Sequence, residues 1–199
     1  MNQEFWNERY SNSEYAYGTE PNEYLKERLT KLDPGKILFP CEGEGRNSVY
    51  AAGLGWTSIG FDSSTEGQKK AFALAKEKNT KIHYTINTVL DYPYPISEYD
   101  AVGIFYAHMP INIRKNFHEK LIQSLKPGGC IVLEGFHTEQ LGRASGGPKD
   151  INMLYTPEIL AEDFQSIKII ELKKEVLTLQ EGKFHEGEAA IMRMFARKS

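Results

Sequence analysis

Hydrophobic positions change their spacing as the chain advances. From Lys36 onward, short apolar runs, KILFPC (36–41), TSIGFD (57–62), KIHYTI (81–86), YDAVGIF (99–105) and CIVLEGF (130–136), alternate mostly with amphipathic segments. Strand-like runs separated by helical periodicity predict a parallel sheet with crossover helices. The clearest helix lies between the last two runs: Pro110 sits where a first-turn proline is tolerated, Ile113, Phe117, Leu121 and Leu125 recur every fourth residue, and KPGG stops it. After Phe136 the pattern becomes a Gly-rich loop, GRASGGPKD, a short helix near TPEILAEDF, and two long strand-like runs around EGKFHEG. The last two runs predict an antiparallel hairpin, so the sheet ends mixed. Before Lys36, EFWNERY and PNEYLKERLTKL read as two helices joined by the Tyr-rich piece SEYAYGTE.

A chain of 199 residues with 40% hydrophobic content suits one domain, 1–199, in which residues 1–35 form a helical lid segment and 36–199 the core. Net charge of -3 and the absence of a Lys/Arg-rich run argue against nucleic acid as the main substrate. Cys41 and Cys130 form no metal-type pair and fall in apolar segments, the place of ordinary buried thiols, which fits a reducing cytoplasm. The start lacks a signal-peptide pattern, and no run approaches the length of a membrane span. A soluble cytoplasmic protein with no membrane association is expected, as a monomer or homodimer acting on a small molecule.

The stretch ILFPCEGEGRNSVYAA (37–52) runs a strand through a glycine loop into a helix. A dinucleotide site would set Gly-x-Gly-x-x-Gly here, but Ser48 stands at the third position, and Glu42 and Glu44 flank the turn. Like charges about 4 Å apart repel by about 4 kcal/mol at an effective dielectric near 20, which offsets the helix-end attraction for a phosphate. Gly43 and Gly45 are therefore read as a loop for a ligand with an adenosine end and a cationic tail. S-adenosylmethionine has that shape. Asp62, at the end of TSIGFD with Ser63 beside it, can accept hydrogen bonds from ribose hydroxyls; the alternative is a helix start with Ser63 and Glu66 as a capping box.

Taken together, ILFPCEGEGRNSVYAA, GFDSS, YDAVGIFYAHMP and LKPGGCIVLEGF resemble the class I S-adenosylmethionine-dependent methyltransferases over nearly the whole chain. FWNERY, YGTEPNEYL, GRN and QLGRASGGPKDINMLYT are similar to the small tellurite-resistance and thiopurine-type members. The resemblance implies an α/β fold, a Rossmann-like mixed seven-stranded sheet with helices on both faces and an antiparallel last strand, with the cofactor over the carboxyl ends of strands one, two and four. It departs from the usual loop, because Phe39 and Cys41 stand where an acidic residue and a glycine are usual. It makes Glu42 the candidate for the cofactor ammonium, with Glu44 turned more to solvent. Arg46 either meets the carboxylate or is a helix-surface residue. Asn87 stands where an Asp usually faces the adenine, Thr88 and Val89 offer backbone amides to the ring, and Asp91 is the rival of Asn87.

FYAHMP places Phe105, Tyr106, His108 and Met109 after the fourth strand, at the ligand-binding edge of such a sheet. Phe105 is assigned to the cofactor, Tyr106 and His108 to the acceptor. His108 is either a base for the acceptor or a packing residue. His137, Arg143 and His185 either build a cationic pocket for an oxyanion or are solvated loop residues. Among Trp6, Tyr10, Tyr15 and Tyr17, which either cover the sulfonium or anchor the leading helices, Tyr17 is the best lid candidate. The expected activity is methyl transfer to a small acceptor, including a soft sulfur, selenium or tellurium species; the alternative is a noncatalytic cofactor-binding regulator.

Overall fold

The computed structural model describes residues 3–199. Seven strands are ordered β3-β2-β1-β4-β5-β7-β6: β1 Lys36–Pro40, β2 Thr57–Asp62, β3 His83–Ile86, β4 Tyr99–Phe105, β5 Leu125–Phe136, β6 Lys168–Gln180 and β7 Glu186–Arg197. The β1/β2, β2/β3 and β4/β5 pairs are parallel, and β7 runs antiparallel to both β5 and β6. This is the mixed sheet that the alternation and the final hairpin predicted, in the seven-stranded Rossmann-like form that the resemblance implied. No helix among the described residues is long and apolar enough to cross a membrane.

The chain forms two compact units, residues 1–93 with 181–184, and 94–180 with 185–199. In the first, α1 (Gln3–Tyr10) and α2 (Glu23–Leu29) precede the sheet as expected, and α3 (Arg46–Gly53) and α4 (Thr65–Glu77) are the crossovers. Ile37, Leu38, Phe39 and Phe61 alternate to both faces of their strands, yet all are fully buried, which accounts for runs that are apolar throughout. The start of α4 is held by two side chains. Ser64 Oγ accepts from the Gly67 amide at 3.0 Å, and Asn7 Oδ1 from α1 accepts from the Glu66 amide at 3.3 Å. The cap is thus Ser64 instead of Ser63.

In the second unit, α5 (Ile111–Ser124) and α6 (Pro157–Asp163) accompany β4 to β7. The α5 helix ends one residue before Leu125, the fourth member of its predicted stripe. Leu125 turns extended (φ -72, ψ 140) and pairs with Tyr99. KPGG therefore lies inside β5, at an irregularity between Tyr99 and Ala101, where a Cβ on Gly129 would stand 2.9 Å from the Lys126 carbonyl oxygen. Strand β3 is shorter than KIHYTI, beginning at His83.

The loop between β1 and α3 is the tightest passage of the first unit. Gly45 has φ 89, and a Cβ there would lie 2.5 Å from Ala71 Cβ on α4. Gly45→Ala should lower unfolding stability by about 2 kcal/mol or more, read as a fall in the urea midpoint at unchanged slope.

Candidate functional site

The loop from Cys41 to Gly45 reverses the chain by placing Cys41 (φ 54), Gly43 (φ 60) and Gly45 (φ 89) in the left-handed region. A residue with a Cβ tolerates that conformation at a cost, so Cys41 marks a strained backbone at the carboxyl end of β1. Tyr84 on β3 donates its hydroxyl to the Gly43 carbonyl at 2.6 Å, and a Cβ on Gly43 would stand 2.6 Å from the Tyr10 hydroxyl oxygen. Two tyrosines thus clamp the loop from the protein side.

Its two glutamates have different tasks. Glu42 Oε1 accepts from the Ser48 amide at 2.6 Å in the first turn of α3, which has no side-chain cap at Gly45. Burial pushes Glu42 up to about 7, against the pull of the Ser48 and Asn47 hydrogen bonds and of the nearby Arg46 charge. Glu44 does not turn to solvent. It is 5% exposed, accepts from the Ala16 amide at 2.8 Å and pairs with Lys70 Nζ at 2.7 Å. A buried carboxylate needs such partners, and Glu44 obtains them by tying the Tyr-rich segment to α4.

Asp62 ends β2, and it is buried. Its Oδ2 accepts from the Gly43 amide at 3.2 Å and its Oδ1 from the Ser64 amide at 2.9 Å; burial raises its pKa against these bonds and those of Ser63. Ser63 is buried beside it. Asn87 follows β3, half-buried, and donates its amide to the Asp62 carbonyl at 3.0 Å. The Thr88 amide is given to Asp91 Oδ1 at 2.6 Å, so in this structure the backbone donor expected for an adenine ring serves the loop itself. Val89 is buried.

Arg46 is a buried residue, not one of the helix surface. It donates Nη2 to Glu181 Oε2 at 2.9 Å and Nη1 to the Glu20 carbonyl at 3.5 Å. Tyr10 stacks on Trp6 at 5.5 Å, and Tyr17 meets Tyr10 edge-on at 6.4 Å and Phe184 at 6.1 Å. Arg9 donates Nη1 to the Tyr17 hydroxyl at 3.2 Å and lies 3.8 Å over Phe184. These contacts pack the N-terminal rings on the leading helix, and Tyr17 stays half-buried.

In the second unit, Phe105 ends β4 buried, and Tyr106 follows with φ 52, again a strained residue past a strand end. The Tyr106 hydroxyl donates to Glu134 Oε1 at 2.7 Å, Arg193 Nε donates to Glu134 Oε2 at 2.6 Å, and Arg193 Nη1 to Glu175 Oε2 at 2.7 Å. The Tyr106 ring packs against His185 at 4.3 Å and Phe136 at 4.7 Å. His108 is the clearest departure from a catalytic role. Its Nδ1 lies 2.8 Å from the Met153 carbonyl oxygen, which can only accept, and its Nε2 receives the Phe136 amide at 3.0 Å. This fixes the neutral Nδ1–H tautomer and occupies the lone pair a base would use. The packing alternative describes His108. The proposed cationic pocket is not assembled either: Arg143 pairs with Glu188, His137 Nδ1 accepts from the Glu139 amide at 3.1 Å, and His185 is buried among rings.

Residues 37–129 match a family model described as a methyltransferase domain. The match runs from β1 to the KPGG turn of β5, and that stretch is similar to methyltransferase domains. No curated protein matches the chain. Among solved structures, the chain is similar to a protein reported for conversion of a disulfide bond into a thioacetal group during echinomycin biosynthesis (TM-score 0.80, 15% identity, 99% of this chain and 91% of that one). It is also similar to TehB from Haemophilus influenzae (TM-score 0.73, 14% identity, 99% and 67%) and to an S-adenosylmethionine-dependent methyltransferase from Methanosarcina mazei (TM-score 0.70, 15%, 86% and 96%). At these identities the likeness is one of fold.

The donors and acceptors of the first unit fit S-adenosylmethionine. A buried acidic acceptor stands at the end of β2, and an acid and a guanidinium that feel each other's charge stand at the start of α3, matching a zwitterionic amino-acid end.

Sequence reasoning missed a buried cluster on α5 and α6. Asp163 Oδ2 accepts from Arg114 Nε and His118 Nδ1, each at 2.8 Å. Arg114 and His118 are four residues apart beside the apolar stripe, and that polar pair on the buried side was its available signal. His118 Nε2 is buried with no hydrogen-bond partner among the described residues.

Burial lowers His108 from 6.5 to about 4. With the folded pKa below the unfolded one, the contribution of neutral His108 is intact above pH 6.5 and is lost as pH falls toward 4. Chemical denaturation across that window should show His108 costing about 3 kcal/mol in acid, and His108→Gln should flatten the slope.

Proposed function

We propose that this protein is an S-adenosylmethionine-dependent methyltransferase that acts on a small soft nucleophile, a sulfur, selenium or tellurium species, as a single cytoplasmic domain, monomeric or homodimeric, without nucleic acid. Support for sulfur comes from the first structural neighbour, whose reported reaction takes place at a disulfide. When bound, S-adenosylmethionine supplies an electrophilic methyl on a sulfonium. Transfer moves that methyl to the acceptor and dissipates the positive charge, so alignment and exclusion of water matter more than a strong base.

The observation that carries the cofactor assignment is the Glu42 carboxyl and the Arg46 guanidinium beside the start of α3, together with buried Asp62. Asp62 accepts from the ribose hydroxyls with the lone pairs that Gly43 and Ser64 leave it, Glu42 takes the ammonium and Arg46 the carboxylate. Gly43, Gly45 and Ser63 shape the loop around them, Asn87, Thr88 and Val89 border the adenine, and Tyr17 supplies an apolar wall. Tyr106 is assigned to the acceptor side. Its hydroxyl is held in one orientation by Glu134, itself fixed by Arg193.

Two measurements test this reading. Asp62→Ala should weaken S-adenosylhomocysteine binding by about 1.5 to 3 kcal/mol in calorimetric titration, with the thermal transition retained; unchanged affinity would leave Asp62 as a local backbone brace. Glu42, held at about 7, must ionise to meet an ammonium. Affinity should therefore rise as pH passes upward through 7 and level off above it, with proton uptake by the buffer on binding; Glu42→Gln should abolish both effects.

A further inference from the structure

The tip of the β6/β7 hairpin, residues 181–184, belongs to the first unit although it lies some 130 residues beyond the glycine loop. Each of three tip residues holds a different part of that unit. Glu181 accepts from Arg46 Nη2 at 2.9 Å and from Asn22 Nδ2 at 3.1 Å, with the Glu181 and Arg46 side chains only 14% and 10% exposed. Gly182 has φ 83, and a Cβ there would fall 2.7 Å from the Gly18 nitrogen and 2.8 Å from the Ala16 carbonyl oxygen. Phe184 receives the Arg9 guanidinium at 3.8 Å.

Asn22 is itself fixed. Its Oδ1 caps α2 by accepting from the Tyr24 and Leu25 amides, which turns its Nδ2 outward as a donor, and its own amide donates to Asn47 Oδ1 at 2.9 Å in the first turn of α3. The two donors meeting Glu181 are therefore set by separate helices, and Glu181 joins them. A guanidinium is a planar fork, so a carboxylate bound on one side fixes the direction of the remaining N–H vectors.

We propose that Glu181 is a positioning residue of the cofactor site, orienting the Arg46 guanidinium for the α-carboxylate of the cofactor's amino-acid end. This rests on the assignment of Arg46 to that carboxylate. Gly182 and Phe184 hold the tip in place, so that Glu181 delivers its charge at a fixed point. The role acts on one end of the ligand alone, and a general closing or bracing contact would act on all of it.

The test uses two ligands that share the adenosine part: S-adenosylhomocysteine, which carries the amino-acid end, and 5′-methylthioadenosine, which lacks it. Titration of Glu181→Gln should show S-adenosylhomocysteine bound roughly tenfold more weakly and 5′-methylthioadenosine unchanged. Equal losses for both ligands would overturn the proposal in favour of a merely structural tip. No loss, or tighter binding of S-adenosylhomocysteine, would overturn it by making Glu181 a bystander or a competitor for Arg46. If Glu181→Gln does not fold, Glu181→Asp, which keeps the charge and shortens its reach, decides by the same split between ligands. Arg46→Gln separates the two levels: if it does not weaken S-adenosylhomocysteine selectively, the assignment of Arg46 fails and the proposal with it. If Arg46→Gln is selective and the Glu181 variant is not, only the role of Glu181 falls.

Discussion

The reversal of the chain between β1 and α3 is the constraint on which the first unit depends. Three residues in five take positive φ there; Tyr84 holds the Gly43 carbonyl, and Gly45 is packed against Ala71 so closely that a Cβ would not fit. That reversal sends α3 off in the direction that lets Glu42 cap it, and it turns the Gly43 amide toward Asp62. A loop of this shape concentrates carboxylates and backbone amides in one small volume. The amides stabilise the carboxylates while burial opposes their charge, and the balance leaves Glu42 poised near neutrality. A cationic ligand end shifts such a balance toward the ionised form, whereas a phosphate would oppose it.

The second unit solves a related problem differently. Several of its polar side chains are tied into pairs and chains, Tyr106 with Glu134 and Arg193, Asp163 with Arg114 and His118. Such networks fix a side chain's direction at the cost of its freedom to exchange protons. His108 illustrates the cost: two backbone groups fill both its nitrogens, and a histidine placed by sequence at the right strand end becomes a neutral packing residue. Tyr106 is strained in its backbone and held at its hydroxyl by Glu134.

Much of this was legible in the chain. Strand runs buried on both faces are apolar throughout, so β1, β2 and β4 could be read to within a residue, and the alternation with helices fixed the parallel order because crossover connections admit little else. The glycine loop and Asp62 were legible because conformation demands glycine and because acids rarely end an apolar strand without a partner. KPGG misled, since a helix stop and a strand bulge call for the same residues.

What the sequence could not determine was which charges meet. Glu44 and Glu42 are two residues apart and chemically identical; only folding decides that one reaches Lys70 and Ala16 and the other the start of α3. Arg46 finds Glu181 across 135 positions, a distance at which no local periodicity carries information. The sequence by itself determined the sheet, its helices and the loop, because backbone propensity and burial act over a few residues. The tertiary structure decided the partners of the buried charges, because desolvation makes each of them depend on whichever opposite group the fold brings within hydrogen-bond reach.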